Sequence, residues 1–499
     1  MKGLVWFKKD LRFFDHRPLY EASHKCSEVK AIYIFEDIWF KSYEFHPSHL
    51  QFINESLAEL KIQLNKINVQ LVIRYGDTRQ IFQDIKSEYD YKIVFAHQET
   101  GQFWTYKRDV AVIDYFKDRS IQFKEYYNFA VVRCLKDRDL WNDYRKKIIE
   151  RKLIPEPQQL YSSTQLKSDE LMSPYDSKFS RFKIKANIQS GGESQAQKTL
   201  KSFLSDRGQT YLEHISNPLL AEHSGSRLSP YITYGNLSLT QIHHKLKKAL
   251  LYHNLNSKWN KSLWAFENRL WWHCHFIQKL ESEYKIEFQN VNRAFDGLRE
   301  SEFNSHYFEA WKSGQTGFPL VDACMRCLLE TGWINFRMRA MLVSFASYQL
   351  WLHWQKPAEF LAAHFLDYEP GIHFSQFQMQ SGVTGINAIR IYSPQKQTND
   401  HEHIGDFIRK YCPELSLVRD EYLHDLESMP PLLRIEAQLK LGENYPLPVV
   451  DAKESYQLAK KRIFEWKKAE AVKLEALNVL KKHASRTNTS RRFPKQKRT

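Results

Sequence analysis

The 499-residue sequence has no run of 18 apolar residues, which excludes a hydrophobic membrane-spanning helix. Charged residues return soon after the start, in MKGLVWFKKDLR, so this segment is too short for a secretory signal peptide and we interpret it as a strand. The six cysteines are scattered and indicate no disulfide framework. We therefore expect a cytoplasmic protein in a reducing compartment.

Two sequence patterns are also missing, and acidic residues are outnumbered. No G-x-G-x-x-G motif follows the first apolar segment, so a dinucleotide site of that kind is not supported, and no internal repeat is present. The chain has 73 Lys and Arg against 58 Asp and Glu, a net charge of +15 with a pI near 9.2. This excess indicates a polyanionic partner, nucleic acid first and an anionic membrane surface second. The alternative is a protein that is basic without such a partner.

The chain is too long for one hydrophobic core, and its first part alternates strand and helix patterns. Short segments rich in β-branched and aromatic residues are separated by helical patterns, as βαβ units require. Residues 1–130 are therefore predicted to form an α/β domain with a doubly wound parallel sheet. The strand segments are Leu4–Phe7, Ala31–Phe35, Leu71–Arg74, Ile93–Ala96 and Ile121–Tyr126.

The rest of the chain divides into three further segments. Residues 131–195 are richer in Ser, Pro, Gln and Lys, and we interpret them as a partly ordered connector. Residues 196–430 have helical periodicity and many aromatic residues, which predicts an all-α domain. Residues 431–499 contain a charged helix over about 452–483 and a tail with no acidic residue after Glu475. We expect the tail to be disordered and to bind polyanions by charge, the alternative being a solvated tail without a partner.

The strongest signal is WKSGQTGFPLVDACMRCLLETGWINFRMRAMLVSF, residues 311–345, followed by FLDYEPGIHFSQFQMQSG. Two arginines, Arg337 and Arg339, interrupt an apolar helical pattern, which is costly unless an anion meets them. Asp367 and Glu369 are candidate anions. Upstream, HSGSRLSPYITYGNLS (223–238) places small hydroxyl residues before a helix start, a weak phosphate-binding signal when taken alone.

These blocks together resemble the cryptochrome/photolyase family, whose flavin-binding motif has the same order and spacing. The resemblance covers roughly residues 1–430 and implies the photolyase fold, an α/β domain followed by a helical FAD-binding domain. The matching positions are Trp311, Gly314, Thr316, Gly317, Pro319, Val321, Asp322, Ala323, Met325, Arg326, Thr331, Gly332, Trp333, Arg337 and Arg339.

The resemblance implies a set of FAD-binding residues. Ser226, Leu228 and Ser229 match the block that holds the flavin diphosphate, whereas Gly225 stands where the family usually has Thr. Arg339 and Asp367 match an ion pair beside the isoalloxazine ring, and His373 stands where the family places the residue facing flavin N5. A proton on that histidine could stabilise an anionic ring or be donated to it. The FAD-binding candidates are Tyr211, Gly225, Ser226, Arg227, Leu228, Ser229, Phe266, Arg339, Asp367, Glu369 and His373.

The resemblance also implies a DNA-facing rim. Trp272 matches the tryptophan on which a flipped lesion stacks, and a large aromatic face is what an unstacked base needs. The predicted DNA contacts are Arg269, Trp272, Arg337, Met379 and Gln397, and the predicted catalytic residues are Trp272, His373, Arg339 and Asp367. We expect no metal, because adjacent residues of the His273-Cys274-His275 run point apart on a helix and Cys324-x-x-Cys327 has no second pair.

Several positions depart from the family pattern. Phe377 and Ser301 stand where the first and last tryptophans of the electron-transfer chain would be, and only Trp354 matches the middle one. Arg269 replaces the glutamate with which cyclobutane-dimer photolyases bind the dimer. The histidines of the (6-4) enzymes would fall at Phe336 and Ala340, so that arrangement is absent as well.

The resemblance therefore implies a divergent, bacterial-type, light-driven DNA photolyase in which reduced FAD passes an electron to a flipped pyrimidine dimer. The first alternative is a cryptochrome-like blue-light photoreceptor, and a distant one is a basic DNA-binding protein that keeps flavin only as structure. We expect a monomer that binds dimer-containing DNA and no membrane. A second antenna chromophore of unknown identity is expected in the N-terminal cleft, with Glu99 as a ligand.

Overall fold

The computed structural model describes residues 1–161, 164–253 and 256–484, so the predicted basic tail from 485 onward lies outside the described residues. A five-stranded sheet forms the core of the N-terminal region. Its strands are parallel throughout and run in the order β3-β2-β1-β4-β5, which confirms the predicted doubly wound sheet. The strands are β1 (Lys2–Phe7), β2 (Glu28–Glu36), β3 (Gln70–Gly76), β4 (Ile93–His97) and β5 (Gln122–Tyr126).

Helices cover both faces of the sheet and predominate in the rest of the chain, except between Ile149 and Glu193. Those of the α/β region are α1 (Arg17–Lys25), α2 (Asp37–Lys41), α3 (Pro47–Lys66), α4 (Thr78–Glu88) and α5 (Phe103–Asp118), and the connector contains α6 (Trp141–Ile149). The next are α7 (Glu193–Ser205), α8 (Tyr211–His214), α9 (Leu220–Ser224), α10 (Ser229–Thr233), α11 (Leu239–Tyr252), α12 (Ser257–Ser282), α13 (Ser305–Ser313) and α14 (Pro319–Thr331). The last are α15 (Phe336–Ser344), α16 (Gln355–His364), α17 (Pro370–Gln380), α18 (Pro394–Asp400), α19 (Ile404–Tyr411), α20 (Pro431–Glu436), α21 (Ala452–Lys467) and α22 (Glu470–His483). In the described part of the chain, no helix is both long enough and apolar enough to cross a bilayer.

The single helix predicted over 452–483 is two helices in the structure. α21 ends at Lys467 and α22 begins at Glu470, with an extended Ala469 between them. Both helices contact one remote segment, since Trp466 donates its indole N–H to the Ala294 carbonyl at 2.9 Å and the Val472 carbonyl accepts from the Asn292 amide at 3.0 Å.

One hydrophobic core joins the sheet to the helical region. Along β1, side chains alternate between the two faces of the sheet, as strand geometry requires. Leu4 and Trp6 enter a small core beneath α4 and α5, whereas Val5 and Phe7 enter a larger core that also contains Cys274 of α12. This larger core includes side chains from both sides of residues 130 and 195, so the domain boundaries at 130, 195 and 430 stay predictions.

The strongest sequence motif builds a turn. Asp322 is fully buried, and its carboxylate accepts hydrogen bonds from the Thr316 amide and hydroxyl (both 2.7 Å), the Gly317 amide (3.1 Å) and the Tyr445 hydroxyl (2.7 Å). Gly317 has φ +79°, and a Cβ there would lie 2.5 Å from the backbone of Leu447, so only glycine fits. The motif therefore fixes the start of α14 and ties it to the C-terminal segment.

A buried basic cluster lies where α3 meets the connector and the end of α16. Lys185 donates to the carbonyls of Leu328 (3.1 Å) and Leu329 (2.9 Å) and lies 3.2 Å from His364 Nδ1. Burial, reinforced by the charge of Lys185, lowers the pKa of His46 to about 2. Burial also lowers the pKa of His49 to about 4, and that side chain bonds the Phe365 carbonyl at 3.0 Å. These histidines are therefore neutral in the folded protein near neutral pH.

Stability should fall as the pH drops below about 6.5, because the unfolded chain then binds protons that buried histidines do not. His46→Asn removes one such group and keeps the N-cap of α3, where His46 Nδ1 now accepts from the Ser48 amide at 3.1 Å. Between about pH 6.5 and about pH 5, the free energy of unfolding should fall by about 2 kcal/mol less in the variant than in wild type, as measured by urea unfolding. His306→Asn, at an exposed position, is the control, and equal pH dependence in both variants would contradict the prediction.

Candidate functional site

An ion pair between α15 and the loop before α17 lies at the centre of the helical region. Arg339 donates from both terminal nitrogens to the two carboxylate oxygens of Asp367, each at 2.9 Å, and from Nε to the Ile334 carbonyl at 2.8 Å. Its guanidinium also lies 4.2 Å from the centre of the Phe365 ring. The structure thus brings together the two residues that sequence reasoning paired.

Asp367 keeps its charge although its side chain is only 4% exposed. Burial alone would raise the pKa of this carboxyl group, but the charge and hydrogen bonds of Arg339, together with the Ser229 hydroxyl, hold the pKa below its ordinary value. The Thr233 hydroxyl donates to the Asp367 carbonyl at 3.3 Å. The start of α10 is therefore attached to the ion pair, as the predicted FAD block requires.

The turn at 225–228 contains a second arginine close to this pair. Arg227 has φ +56°, and its guanidinium lies 3.8 Å from the centre of the Trp333 ring. Burial lowers the pKa of Arg227, and the charges of Glu222 and Asp367 oppose that shift. Within the described ranges, Arg227 has no carboxylate within ion-pair distance, so its charge is open to a ligand anion.

Sequence reasoning missed Arg207, which organises the same turn. Its guanidinium donates to the carbonyls of Thr199 (3.0 Å), Ser226 (2.8 Å) and Gly225, the last contact being very short. A Cβ at Gly225 would lie 2.5 Å from the Ala221 carbonyl, which explains glycine where the family usually has threonine. Only the tertiary contact reveals Arg207, since nothing in its local sequence marks it.

Three predicted residues lie together where α12 passes α8. Phe266 is buried, with its ring centre 6.1 Å from that of Tyr211 and 4.9 Å from that of Phe203. Burial raises the pKa of the Tyr211 phenol to about 12, and the charge and hydrogen bond of Arg269 oppose that rise. The structure thus places Arg269, predicted on the DNA rim, beside Tyr211, predicted on the cofactor. Leu228 is buried in the same core.

His373 lies near the ion pair, but its ring N–H donates to a backbone carbonyl outside that pair. Its Nε2 lies 2.8 Å from the Ala358 carbonyl, so this nitrogen donates and Nδ1 carries the free lone pair. Burial lowers the pKa of His373 to about 3. The ring is therefore a neutral acceptor, and the expectation that it donates a proton to the flavin is not supported.

Glu369 is turned toward the α/β region rather than toward Arg339. Both carboxylate oxygens are buried without a well-formed hydrogen bond, and burial raises the pKa of Glu369 to about 7. The charged side chains that act on it are Lys9 and Glu99. The predicted contact of Glu369 with FAD stays a prediction.

A cleft lies on the α/β side of Glu369, at the carboxyl ends of β1, β2 and β4. Its aromatic walls include Trp6, Trp39 and Trp104, and Tyr368 closes it from the helical region. Glu99 lines the cleft, where Arg108 binds its carboxylate. Glu44, which sequence reasoning missed, also lines it, and burial raises the pKa of Glu44 to about 7.

The predicted DNA-facing residues fall on four helices. Trp272 is half-buried on α12 and stacks on Phe276, with ring centres 5.5 Å apart. Arg337 donates to the Tyr392 hydroxyl at 3.2 Å, which ties α15 to the segment leading into α18. Met379 and Gln397 are half-buried on α17 and α18. The role of these residues in binding DNA stays a prediction.

The substituted electron-transfer positions have well-defined surroundings. Phe377 is buried, with its ring centre 4.6 Å from that of His373. Trp354 is buried and donates its indole N–H to Asn290 at 2.7 Å. Ser301 precedes Glu302, which accepts from the Trp351 indole at 3.2 Å. Trp351 therefore lies beside the place where the family has its last tryptophan.

The side chains of Asp10, His16 and His97 form a buried group of metal-ligand type. His16 Nε2 (2.9 Å) and His97 Nδ1 (2.8 Å) both bond one oxygen of Asp10. Because His16 Nδ1 accepts from the Leu19 amide at 3.1 Å, its proton is on Nε2 and is donated to Asp10. A metal at this nitrogen would have to displace that proton, so hydrogen bonding is the simpler account of the group.

Comparison with known proteins gives consistent matches along the chain. A family model described as the FAD binding domain of DNA photolyase matches residues 266–465, and one described as DNA photolyase matches residues 3–136. A cryptochrome DASH from Gloeobacter violaceus is 27% identical over 478 residues, covering 90% of this chain and 93% of that protein. A deoxyribodipyrimidine photo-lyase from Buchnera aphidicola is 25% identical over 488 residues, covering 91% and 95%. The crystal structure of a class III photolyase from Agrobacterium tumefaciens has a similar fold, with a TM-score of 0.82, 24% identity and coverage of 94% and 98%.

The residues around the ion pair fit the FAD that this domain binds. Arg227 offers a cation without a carboxylate partner within the described ranges, beside the small residues Gly225 and Ser226, which suits a diphosphate. Among the residues that the structure describes, Gln189 Oε1 and Asn335 Oδ1 are buried without a hydrogen-bond partner. The Gln189 amide donates to the Arg227 carbonyl at 2.9 Å, and Asn335 is the N-cap of α15, the helix that carries Arg339. Such orphaned groups indicate a polar ligand in this region.

Asp367→Ala should release FAD, because Arg339 would be left as an unpaired charge in the interior. The cost of breaking such a pair is about 3–5 kcal/mol. The flavin-to-protein ratio of the purified variant, read from absorbance after denaturation, should fall far below that of wild type. Asp406→Ala, which removes an exposed carboxylate, should leave the ratio unchanged. Full flavin content in Asp367→Ala would show that the pair does not hold the site together.

Proposed function

Because the chain belongs to the cryptochrome/photolyase family, we propose that it is a light-driven photolyase that repairs pyrimidine dimers in DNA. The observation that carries this proposal is the aromatic and basic face of α12. Trp272 is partly exposed and lies one helical turn from the exposed Arg269. A flipped base needs a large aromatic surface, and its phosphates need a cation.

The proposed lesion platform adjoins the cofactor region through helix packing. Gly371, at the start of α17, approaches α12 so closely that a Cβ would lie 2.5 Å from the Cα of Ile277. Phe276, on which Trp272 stacks, is the neighbouring residue. A base held at Trp272 would therefore lie close to the helix that carries His373. This proximity supports electron transfer to the base over a short distance.

When bound, reduced FAD supplies the light-excited electron for splitting the dimer. In the proposed site, Arg227 and Ser226 bind the diphosphate, and the Arg339–Asp367 pair orients the ring while keeping its own charges paired. His373 presents Nδ1 as an acceptor. Trp272, Arg269 and Arg337 bind the DNA strand, Met379 packs at the rim and Gln397 contacts the strand from α18.

We further propose that the cleft at the carboxyl ends of the strands holds the antenna chromophore. Aromatic walls suit a planar pigment, and ligands of parallel α/β sheets bind at this edge. Glu44 offers a buried carboxyl group to an N–H edge of such a pigment. Glu99 is held in the wall of the cleft by its ion pair with Arg108.

A blue-light photoreceptor is the second candidate function. Phe377, beside His373, is a poor electron donor where the family usually has tryptophan. Several relatives, among them that from Gloeobacter violaceus, are named cryptochromes. A photoreceptor would change its flavin state in light without repairing DNA. Repair by the reduced protein distinguishes the two functions.

Blue light should restore the 260-nm absorbance of a dimer-containing oligonucleotide mixed with chemically reduced protein. Trp272→Ala should reduce the repair rate about five- to 150-fold, because the loss of one stacking contact removes about 1–3 kcal/mol of binding to the flipped base. Trp264→Ala is the matched control, since Trp264 is 60% exposed on the same helix. If reduced wild-type protein repairs neither cyclobutane nor (6-4) lesions, the photoreceptor function replaces the repair function.

Glu44→Ala should lose the second chromophore while retaining FAD. The measurement is the absorbance and fluorescence of the pigments released from purified protein on denaturation. Glu88→Ala, which removes an exposed carboxylate of the same domain, should retain both pigments. An unchanged pigment ratio in Glu44→Ala would move the antenna to another place on the molecule.

A further inference from the structure

A pocket between the connector and the helical region extends beyond the proposed lesion platform and shares only Trp272 with it. Its volume is about 370 Å³, which is in the range of ligand sites. Helices α6, α11 and α12 line it, with Arg145 and Lys146 on one side and His243, Asn268, Trp271 and Trp272 on the others. We call it the connector pocket.

The walls of the connector pocket combine aromatic and polar groups. Trp271 and Trp272 are both partly exposed, and their rings meet edge to face with centres 4.9 Å apart. Trp271 is held in place, because its indole N–H donates to Asn142 at 3.2 Å. Two fixed indoles beside an exposed amide such as Asn268 are the surface on which a nucleobase stacks and forms hydrogen bonds.

The rim of the pocket is basic. Arg145 is partly buried, with an Nε that has no hydrogen-bond partner within the described ranges, and Lys146 is exposed. Of the two carboxylates on the rim, that of Glu267 is paired with Lys247 at 2.8 Å, whereas Glu150 is exposed. Besides Lys247, α11 adds two exposed lysines, Lys245 and Lys248, and no acid to the neighbouring surface. Phosphate is therefore the group that this rim attracts.

The pocket is continuous with the proposed lesion platform, because Trp272 lines one and forms the other. A strand that places one base at Trp272 has its next nucleotides within reach of Trp271 and Lys146. A free nucleotide offers the same base and phosphate chemistry, but it would gain nothing from this continuity. The shared tryptophan therefore favours DNA.

We propose that the connector pocket holds a nucleotide of bound DNA that flanks the flipped dimer. The base lies against Trp271 and Trp272, and Arg145 and Lys146 bind its phosphates. This inference rests on the proposed function, because it takes Trp272 as the lesion platform. It makes the connector helix α6 part of the DNA interface.

The test is the salt dependence of binding by the full-length protein. Arg145→Ala/Lys146→Ala should lower the slope of log affinity against log salt by about two, one for each lost phosphate contact. The matched control is Lys61→Ala/Lys66→Ala, which removes the same charge from exposed positions of α3. The probe is a short dimer-containing oligonucleotide with 2-aminopurine beside the dimer, on its 5′ side in one version and on its 3′ side in another. In wild type, stacking in the connector pocket should quench the 2-aminopurine fluorescence of one of the two oligonucleotides. The Arg145→Ala/Lys146→Ala variant should restore that fluorescence.

Equal slopes and equal quenching in the pocket and control variants would overturn the inference. If the double variant folds poorly, Lys146→Ala alone should still lower the slope by about one, because Lys146 is exposed. Titration with AMP distinguishes the source of the nucleotide. If AMP binds the pocket and DNA does not displace it, the occupant is a free nucleotide and the inference fails.

The outcome is separate from that of the repair assay. Undamaged DNA is measured in parallel with damaged DNA. One outcome is that wild type repairs no lesion while the pocket variant still shows a lower slope of log affinity against log salt for both damaged and undamaged DNA. In that case DNA occupies the connector pocket and only the repair function is wrong. If repair is normal and the slope is unchanged, the connector helix is not part of the DNA interface.

Discussion

The carboxylate of Asp367 stays ionised inside an apolar domain because Arg339 meets both of its oxygens and Ser229 adds a third contact. Neither charge is tolerable alone, since an uncompensated buried ion costs several kcal/mol. The pair therefore fixes α15 against the loop before α17, and through Ser229 it fixes α10 as well. The turn at 225–228 leads directly into α10, and α17, which carries His373, follows the loop that holds Asp367. A site built in this way positions its cofactor before any ligand arrives, which is what preorganisation requires.

The ion pair is in turn supported by the contact between the two halves of the molecule. His49 on α3 bonds the Phe365 carbonyl, two residues before Asp367, and Lys185 of the connector bonds the end of α14. A single core runs from β1 to α12. Movement of the α/β region would therefore displace the loop that carries Asp367. The cleft and the ion pair are also adjacent in the chain, since Tyr368 lines the cleft and Asp367 binds Arg339.

Local sequence patterns predicted the parts of the fold that local physics determines. The apolar segments of the first 130 residues gave the five strands, and the cost of Arg339 in an apolar helix pointed to Asp367. Contacts between distant residues were not predictable in this way. Arg207 organises the 225–228 turn, Glu369 faces Lys9, and Asp322 binds Tyr445, 123 residues away. The charged helix broke in two for the same reason, since its partners Asn292 and Ala294 are remote in sequence.

The formal charge of +15 understates how positive the surface is. That sum counts Glu44, Glu193 and Glu369 as full anions, although burial raises the pKa of each to about 7. Near neutral pH each therefore carries less than a full negative charge, and what negative charge remains is inside the protein. Lys185, also buried with a pKa lowered to about 7, offsets only one of them. The exposed lysines of α11 face no acid on their own helix. A polyanion approaching the helical region therefore encounters more positive charge than composition indicates, and this charge lies next to the aromatic side chains on which bases would stack.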